Sequence, residues 1–203
     1  MKFTFYISIV FLLVSCVNPI EKSNEKVKSS IYKLGTEIKQ NYSQYEKGIQ
    51  SSGYLTLLSL DRLEKDKNQI ESKNILRKAE NIFKKFTEKN QSLVTELKSQ
   101  LDSLQPTKSF NEKEIEEVKS IFKESIDVTK SNFKIDSTTI SISKKIINLI
   151  DGDCNYVIQE NQVRFYTEDC IRRYNFLNTQ LESAIVFANF EISKRKLNKL
   201  NNN

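Results

Sequence analysis

The feature that most constrains this chain is the regular spacing of its apolar residues, which recur every three or four positions over most of its length. An α-helix makes a turn every ~3.6 residues, so this spacing gathers them on one helical face. A chain of 203 residues with only 4 Gly and 2 Pro also fits long helices better than a turn-rich β-sandwich. The clearest stripe is Leu76, Ala79, Phe83, Phe86, Leu93, Leu97, Leu101 and Leu104. It predicts a helix from about Ser72 that ends before Pro106.

Similar stripes predict helices on both sides of this one. The first runs from about Val27 to Ile49, and Gly48 and Gly53 predict a kink or a break near its end. Another helix is predicted from Asn111, because an Asn side chain caps the unpaired amides at a helix start.

Two more helices complete the series. One is predicted to open at Asp136 or Ser137, although the TISIS run at 139–143 fits a strand as well. Thr167 is expected to cap the last helix, which ends near Leu200. The inward stripe of that last helix is expected to be Ile171, Tyr174, Leu177 or Asn178, Leu181, Ile185, Ala188 and Ile192.

At about 155–166 the helical spacing gives way to alternation of apolar and polar residues, which predicts a small β-hairpin. A two-residue turn at Glu160 and Asn161 would set its register. The predicted pairs are Ile158 with Val163 and Tyr156 with Phe165. These four side chains would share one side of the hairpin and pack against helices.

Together these patterns predict a mainly α protein, an antiparallel bundle of four to five helices with one small β-hairpin near the C-terminal helix. Residues 27–203 are expected to form a single domain, because a chain of this length and apolar content suits one core. A bundle is favoured over an isolated coiled coil because the near-heptad seam is short.

The first residues have the pattern of an export signal. Met1 and Lys2 give a short positive start, and an uncharged run follows at 3–14 (FTFYISIVFLLV). This run is too short to span a bilayer, which takes about 20 apolar residues, and the chain turns polar directly after Cys16.

The run Leu13-Val14-Ser15-Cys16 resembles the lipobox of bacterial lipoproteins. The resemblance covers the leader alone, and it implies transfer of diacylglycerol to the Cys16 thiol and cleavage between Ser15 and Cys16. Two or three acyl chains, such as palmitate, give stable membrane anchoring where one chain does not. The competing interpretations are an ordinary signal peptide with a chance cysteine and an uncleaved signal anchor.

This resemblance sets the expected organisation and location. Residues 1–15 would be the signal peptide, and residues 16–26 a lipidated polar tether. In a Gram-negative organism, Val17 after the lipidated cysteine favours the outer membrane, with the protein facing the periplasm.

With Cys16 committed to lipid, Cys154 and Cys170 are the remaining cysteines. An even pair beside one hairpin, in an oxidising envelope, predicts a disulfide. The bond would fasten the hairpin to the last helix. Catalytic redox use is disfavoured because the pair lacks CxxC spacing.

Several functional classes are disfavoured by composition and motif. The chain has no His, which excludes Ser/His/Asp triads and His-ligated zinc. The run at 151–155 (DGDCN) imitates the start of a calcium loop, but Tyr156 stands where Gly is needed and Gln162 where Glu should close the shell. The net charge of +6 is spread among interleaved Lys and Glu, which disfavours nucleic acid as a partner. We expect no enzyme activity, no cofactor and no metal.

Two functions stay open at this point. The leading hypothesis is a non-enzymatic envelope lipoprotein that holds a protein partner, including an immunity-type protein that blocks a toxin. The alternative is binding of an anionic lipid or envelope glycan, since guanidinium groups grip anions well. Its candidate contact residues are Tyr166, Arg172, Arg173 and Tyr174. The stretch at 152–181 also resembles, loosely, uncharacterised small helical lipoproteins of Gram-negative bacteria, a likeness that implies no activity.

Overall fold

The computed structural model describes residues 19–108, 110–152 and 154–201, and only the helical backbone at 188, 189 and 191–201. The predicted signal peptide and Cys16, the predicted lipidation site, lie outside the described residues. The described residues form five α-helices: α1 (Pro19–Ser52), α2 (Leu60–Lys65), α3 (Ile70–Asp102), α4 (Glu112–Asp151) and α5 (Glu168–Asn201). One antiparallel pair of strands, β1 (Tyr156–Gln159) and β2 (Gln162–Phe165), precedes α5. These elements confirm the mainly α class with a small hairpin.

Helix α1 is longer at both ends than its apolar stripe indicated. Its described part starts at Pro19, so residues 19–26, expected as a tether, are helical. It ends at Ser52, and Gly53 follows with φ of 84°, a left-handed conformation that favours glycine. Gly48 lies within the helix, where a Cβ atom would come 3.1 Å from Cγ2 of Ile82. Gly48 therefore allows close packing and does not break the helix.

Helix α4 corrects the prediction of two helices in this region, because it continues through the Ser/Thr-rich segment as one element. The hydroxyl of Thr138 donates to the carbonyl of Lys134, and that of Thr139 donates to the carbonyl of Asp136. These bonds satisfy the hydroxyls inside the helix. Ile140 is buried, so tertiary packing also favours the helix over the strand that the TISIS run at 139–143 fits.

The described residues fall into two compact units: the part up to residue 40 with residues 90–126, and residues 41–89 with the part from residue 127 onward. In the first unit, the described core residues come from α1, α3, α4 and the segment after α3. They are Ile31, Leu34, Leu93, Leu97, Leu101, Leu104 and Ile115. Asn24 is buried, and its amide donates to the carbonyl of Gln105 at 2.7 Å while its side-chain oxygen accepts from the Gln105 amide at 3.2 Å. These two hydrogen bonds satisfy the backbone carbonyl and amide of Gln105, where the chain leaves α3.

The start of α4 has the cap that Asn111 predicted. Oδ1 of Asn111 accepts from the Glu114 amide at 3.1 Å, and the Glu114 carboxylate accepts from the Asn111 amide at 2.8 Å. This reciprocal capping box satisfies two amides that the helix itself leaves unpaired.

In the second unit, two described clusters of apolar residues build most of the core. One joins α2, α3, α4 and the segment around Leu57 with the hairpin, and its buried members are Leu57, Leu63, Ile75, Leu76, Ile147 and Ile150. The other is aromatic: the ring of Tyr45 stacks on Phe86 with centroids 4.3 Å apart, and Phe133 meets Phe86 edge-on at 4.8 Å. Such ring pairs add specific geometry to burial.

The hairpin has the predicted register. Tyr156 pairs with Phe165 and Ile158 with Val163, and all four side chains pack on the cluster around Leu63. Glu160 and Asn161 have φ of 53° and 59°, as a two-residue turn with both central residues left-handed requires.

Helix α5 corrects the predicted inward stripe. Thr167 caps it, accepting from the Cys170 amide at 3.3 Å, and Tyr174 and Leu177 pack partly buried beside Cys170. Ile171 and Ile185, expected inside, are exposed. The side chains of Ala188 and Ile192 lie outside the described residues.

Candidate functional site

The four residues predicted to bind an anion do not form one surface. Arg172 and Arg173 both pair with the carboxylate of Asp169, at 2.7 and 3.5 Å. The hydrogen bond from Arg172 holds the pKa of Asp169 below its ordinary value. The two guanidinium groups therefore share a carboxylate of their own helix.

The two tyrosines of this predicted patch lie in different environments. Tyr166 is 71% exposed, whereas the ring of Tyr174 packs 4.9 Å from that of Phe165, and burial raises the pKa of Tyr174. Residues two apart on a helix do not face each other, so Tyr174 points away from Arg172. Tyr174 belongs to the packing between hairpin and helix.

Cys154 and Cys170 form the predicted disulfide, with Sγ atoms 1.98 Å apart and Cα atoms 5.6 Å apart. Both residues are buried together with Leu149. The bond joins the segment before β1 to the first turn of α5. Because the sulfur atoms are enclosed by apolar side chains, the bond has a structural role.

Of the calcium-like run at 151–155, Asp153 lies outside the described residues. Asp151 is the last residue of α4, and its carboxylate pairs with Lys73 of α3. Its Oδ2 atom thus links α4 to α3. Across the residues that the structure describes, no group of three Cys, Asp or Glu side chains could hold a metal ion.

Helix α5 carries an exposed aromatic face whose residues are not in the predicted inward stripe. Phe176, Phe187 and Phe190 are 63%, 52% and 61% exposed. Their spacings of eleven and three residues bring them to one side of a helix, away from the buried Cys170. In the sequence, this face is visible as a second apolar stripe, offset from the stripe that is predicted to face inward.

A groove runs beside this face, between α4 and α5, with a volume of about 580 Å³. Its α4 wall carries small hydroxyl side chains, those of Ser137, Thr138 and Ser141, and its α5 wall includes Phe176. Lys145 stands on the α4 side of the groove. The groove thus combines aromatic surface, small side chains and one cation.

Compared with known proteins, the chain matches no protein-family model, no curated sequence and no solved structure. None of the helices described, from Pro19 to Asn201, is long and apolar enough to cross a membrane.

Proposed function

We propose that this chain is a lipid-anchored protein of the bacterial cell envelope that holds a protein partner on the aromatic face of α5. The anchor is the acylated Cys16 that the lipobox-like run implies. The observation that carries the binding role is the exposure of Phe176, Phe187 and Phe190 on one helical side. Clustered apolar side chains on a domain surface are typical of interaction sites.

The chemistry of the groove favours an amphipathic helix of another protein as the occupant. Small side chains such as Ser137 and Ser141 allow a partner backbone to approach closely, and Phe176 offers a ring to its apolar face. Lys145 would pair with an Asp or Glu on the partner helix. An immunity-type role, blocking a toxin, is one form of this function.

The aromatic face is a better basis for function than the predicted anion site. Arg172 and Arg173 already share Asp169, and Tyr174 is partly buried against Phe165. A lipid phosphate or acidic glycan would have to compete with that carboxylate for both guanidinium groups. As the structure places them, these four residues do not converge on one anion site.

Site-specific photo-crosslinking in cells tests this proposal. A benzoylphenylalanine replaces Phe187 in the full chain, and a control chain carries it at Tyr32, an exposed aromatic residue of α1. We expect one protein adduct from position 187 that position 32 does not give. With that partner purified, Phe187→Glu should weaken binding by roughly tenfold or more, the cost of losing one buried aromatic contact, and Tyr32→Glu should not.

The other results contradict the proposal. An adduct of the chain with a second copy of itself would assign the face to self-association, and an adduct with lipid alone would assign it to the membrane surface. Equal adducts from positions 187 and 32, or equal affinity of the two Glu variants, would remove α5 as the binding face.

A further inference from the structure

A second cavity lies elsewhere in the second unit and is independent of the aromatic face of α5. It has a volume of about 320 Å³, at the lower end of the range for small-molecule sites. Most of its wall is apolar, with Ile49, Leu57, Ile140 and Leu181 among the lining residues. Leu55 and Ile185, which also line it, are 69% and 47% exposed, so an apolar rim faces solvent.

Polar groups converge on the α4 side of this cavity. The hydroxyl of Tyr45 donates to Oδ2 of Asp136 at 3.0 Å, and the hydroxyls of Tyr54 and Ser143 are 3.2 Å apart. All four residues line the cavity. An apolar pocket with a few converging polar groups is the usual design of a site for a small ligand.

The carboxylate of Asp136 lacks a cationic partner within the described part of the chain. Tyr45 is its one described side-chain hydrogen-bond donor, and no described Lys or Arg pairs with it. Burial raises the pKa of Asp136, and the hydrogen bond from Tyr45 only partly offsets this. A half-buried carboxylate without a counter-ion is costly, and a cation entering the cavity would relieve that cost.

We infer that this cavity binds a small organic ammonium ion with an apolar body. The ammonium group would donate to Asp136, and the hydrocarbon would lie against Ile140 and Leu181. Neutral and anionic molecules of the same length would fill the same apolar space, but they would not supply the charge that Asp136 lacks. A preference for the cation over neutral and anionic molecules therefore distinguishes a ligand-binding site from an apolar void.

Three probes of equal chain length test the inference: hexylammonium, 1-hexanol and hexanoate. Each is titrated at neutral pH into the full chain with isotope-labelled Ile and Leu methyl groups, and NMR shifts are followed at Ile140, Leu181 and Ile185. We expect saturable shifts at these methyls with a dissociation constant of roughly 1 mM for hexylammonium, as its few atoms allow. Hexanol should bind about tenfold more weakly, and hexanoate more weakly still, because a bond to a charged group adds to affinity.

Two matched variants identify the group responsible. Asp136→Asn keeps the size of the side chain and an acceptor for Tyr45, and it should bring hexylammonium down to the affinity of hexanol. Asp127→Asn changes an exposed aspartate of the same helix, one that pairs with Lys130, and should leave all three affinities unchanged.

The comparison of the three probes in the unaltered chain tests the inference even if a variant folds poorly. Hexanol binding as tightly as hexylammonium would show an apolar void without cation selectivity. Absence of saturable shifts for every probe would show that the cavity does not admit ligands. Either result overturns the inference, as does an Asp136→Asn chain that still prefers the cation.

Discussion

The hydroxyl of Tyr156 in β1 donates to the carbonyl of Leu63 in α2 at 2.6 Å, a bond between residues 93 positions apart. The same hydroxyl accepts from Nε2 of Gln69 at 2.9 Å. Gln69 is buried and has φ of 51°, a conformation uncommon for a residue with a side chain. One phenol group thus fastens the hairpin to α2 and holds the turn that leads into α3.

Tyr156→Phe should therefore destabilise the protein by roughly 1–3 kcal/mol, because it leaves a buried amide donor and a buried carbonyl without this partner. Tyr166→Phe is the matched control: Tyr166 is exposed and should change the free energy of unfolding by less than about 0.5 kcal/mol. Chemical denaturation of both variants measures the difference. Equal stabilities would show that Tyr156 contributes by packing alone.

Replacing both Cys154 and Cys170 by Ala should lower the free energy of unfolding by about 3 kcal/mol, because the bond closes a loop between residues 16 apart. A reductant should destabilise the unaltered chain by a similar amount and leave the double variant unchanged. Denaturant titration with and without reductant checks both statements. A reductant effect that persists in the double variant would mean that the loss does not come from this bond.

Asp66→Ala should cost about 1–2 kcal/mol, because this carboxylate caps the start of α3. Oδ2 accepts from the Ser72 amide at 2.6 Å and Oδ1 from the Glu71 amide at 3.2 Å. Asp127→Ala, which alters an exposed helix position, should stay within about 0.5 kcal/mol. Unfolding curves at neutral pH compare the two.

The stabilisation by Asp66 should also depend on pH in a defined direction. Partial burial alone would raise the pKa of Asp66, but the backbone amides of Ser72 and Glu71 bring it below its ordinary value of 3.8. A carboxyl whose pKa is lower in the folded state stabilises fully above the unfolded value and loses that contribution as pH falls. The gap between the unaltered chain and Asp66→Ala should therefore be constant near neutral pH and close in acid. A gap that widens in acid would contradict the cap.

Asp136→Asn should show the opposite pH dependence. Burial raises the pKa of Asp136, so ionisation of this group costs stability in the folded state. That cost is absent below the ordinary pKa of 3.8 and grows as pH rises toward the folded pKa. The variant should match the unaltered chain in acid and be more stable at neutral pH. A variant that is less stable at neutral pH would show that the ionised carboxylate is stabilising.

Features that depend on nearby residues were readable from the sequence. The register of Tyr156 with Phe165 followed from alternation and a two-residue turn, and the cap at Asn111 followed from a side chain three positions before its partner. The bond between Cys154 and Cys170 followed from their number and their places beside the hairpin, once the lipobox resemblance had reserved Cys16.

Other features were predicted wrongly because the local sequence pattern fits more than one structure. Asp136 looked like a helix start, yet α4 passes through it, since its Ser and Thr hydroxyls bond within the helix and Ile140 packs inside. On α5 two apolar stripes compete, and periodicity alone does not say which one a neighbouring element covers. In the structure, Tyr174 and Leu177 are partly buried, and Phe187 is exposed to solvent.

The sequence by itself determined the mainly helical class, the hairpin and its register, and the cysteine pair, because each is set by residues that lie close together in the chain. Only the tertiary structure decided that Tyr45 meets Asp136 across 91 positions, and that the aromatic face of α5 stays open. Burial and charge depend on which distant segments pack together. That packing is chosen by the summed free energy of the whole core, which no local window of the chain contains.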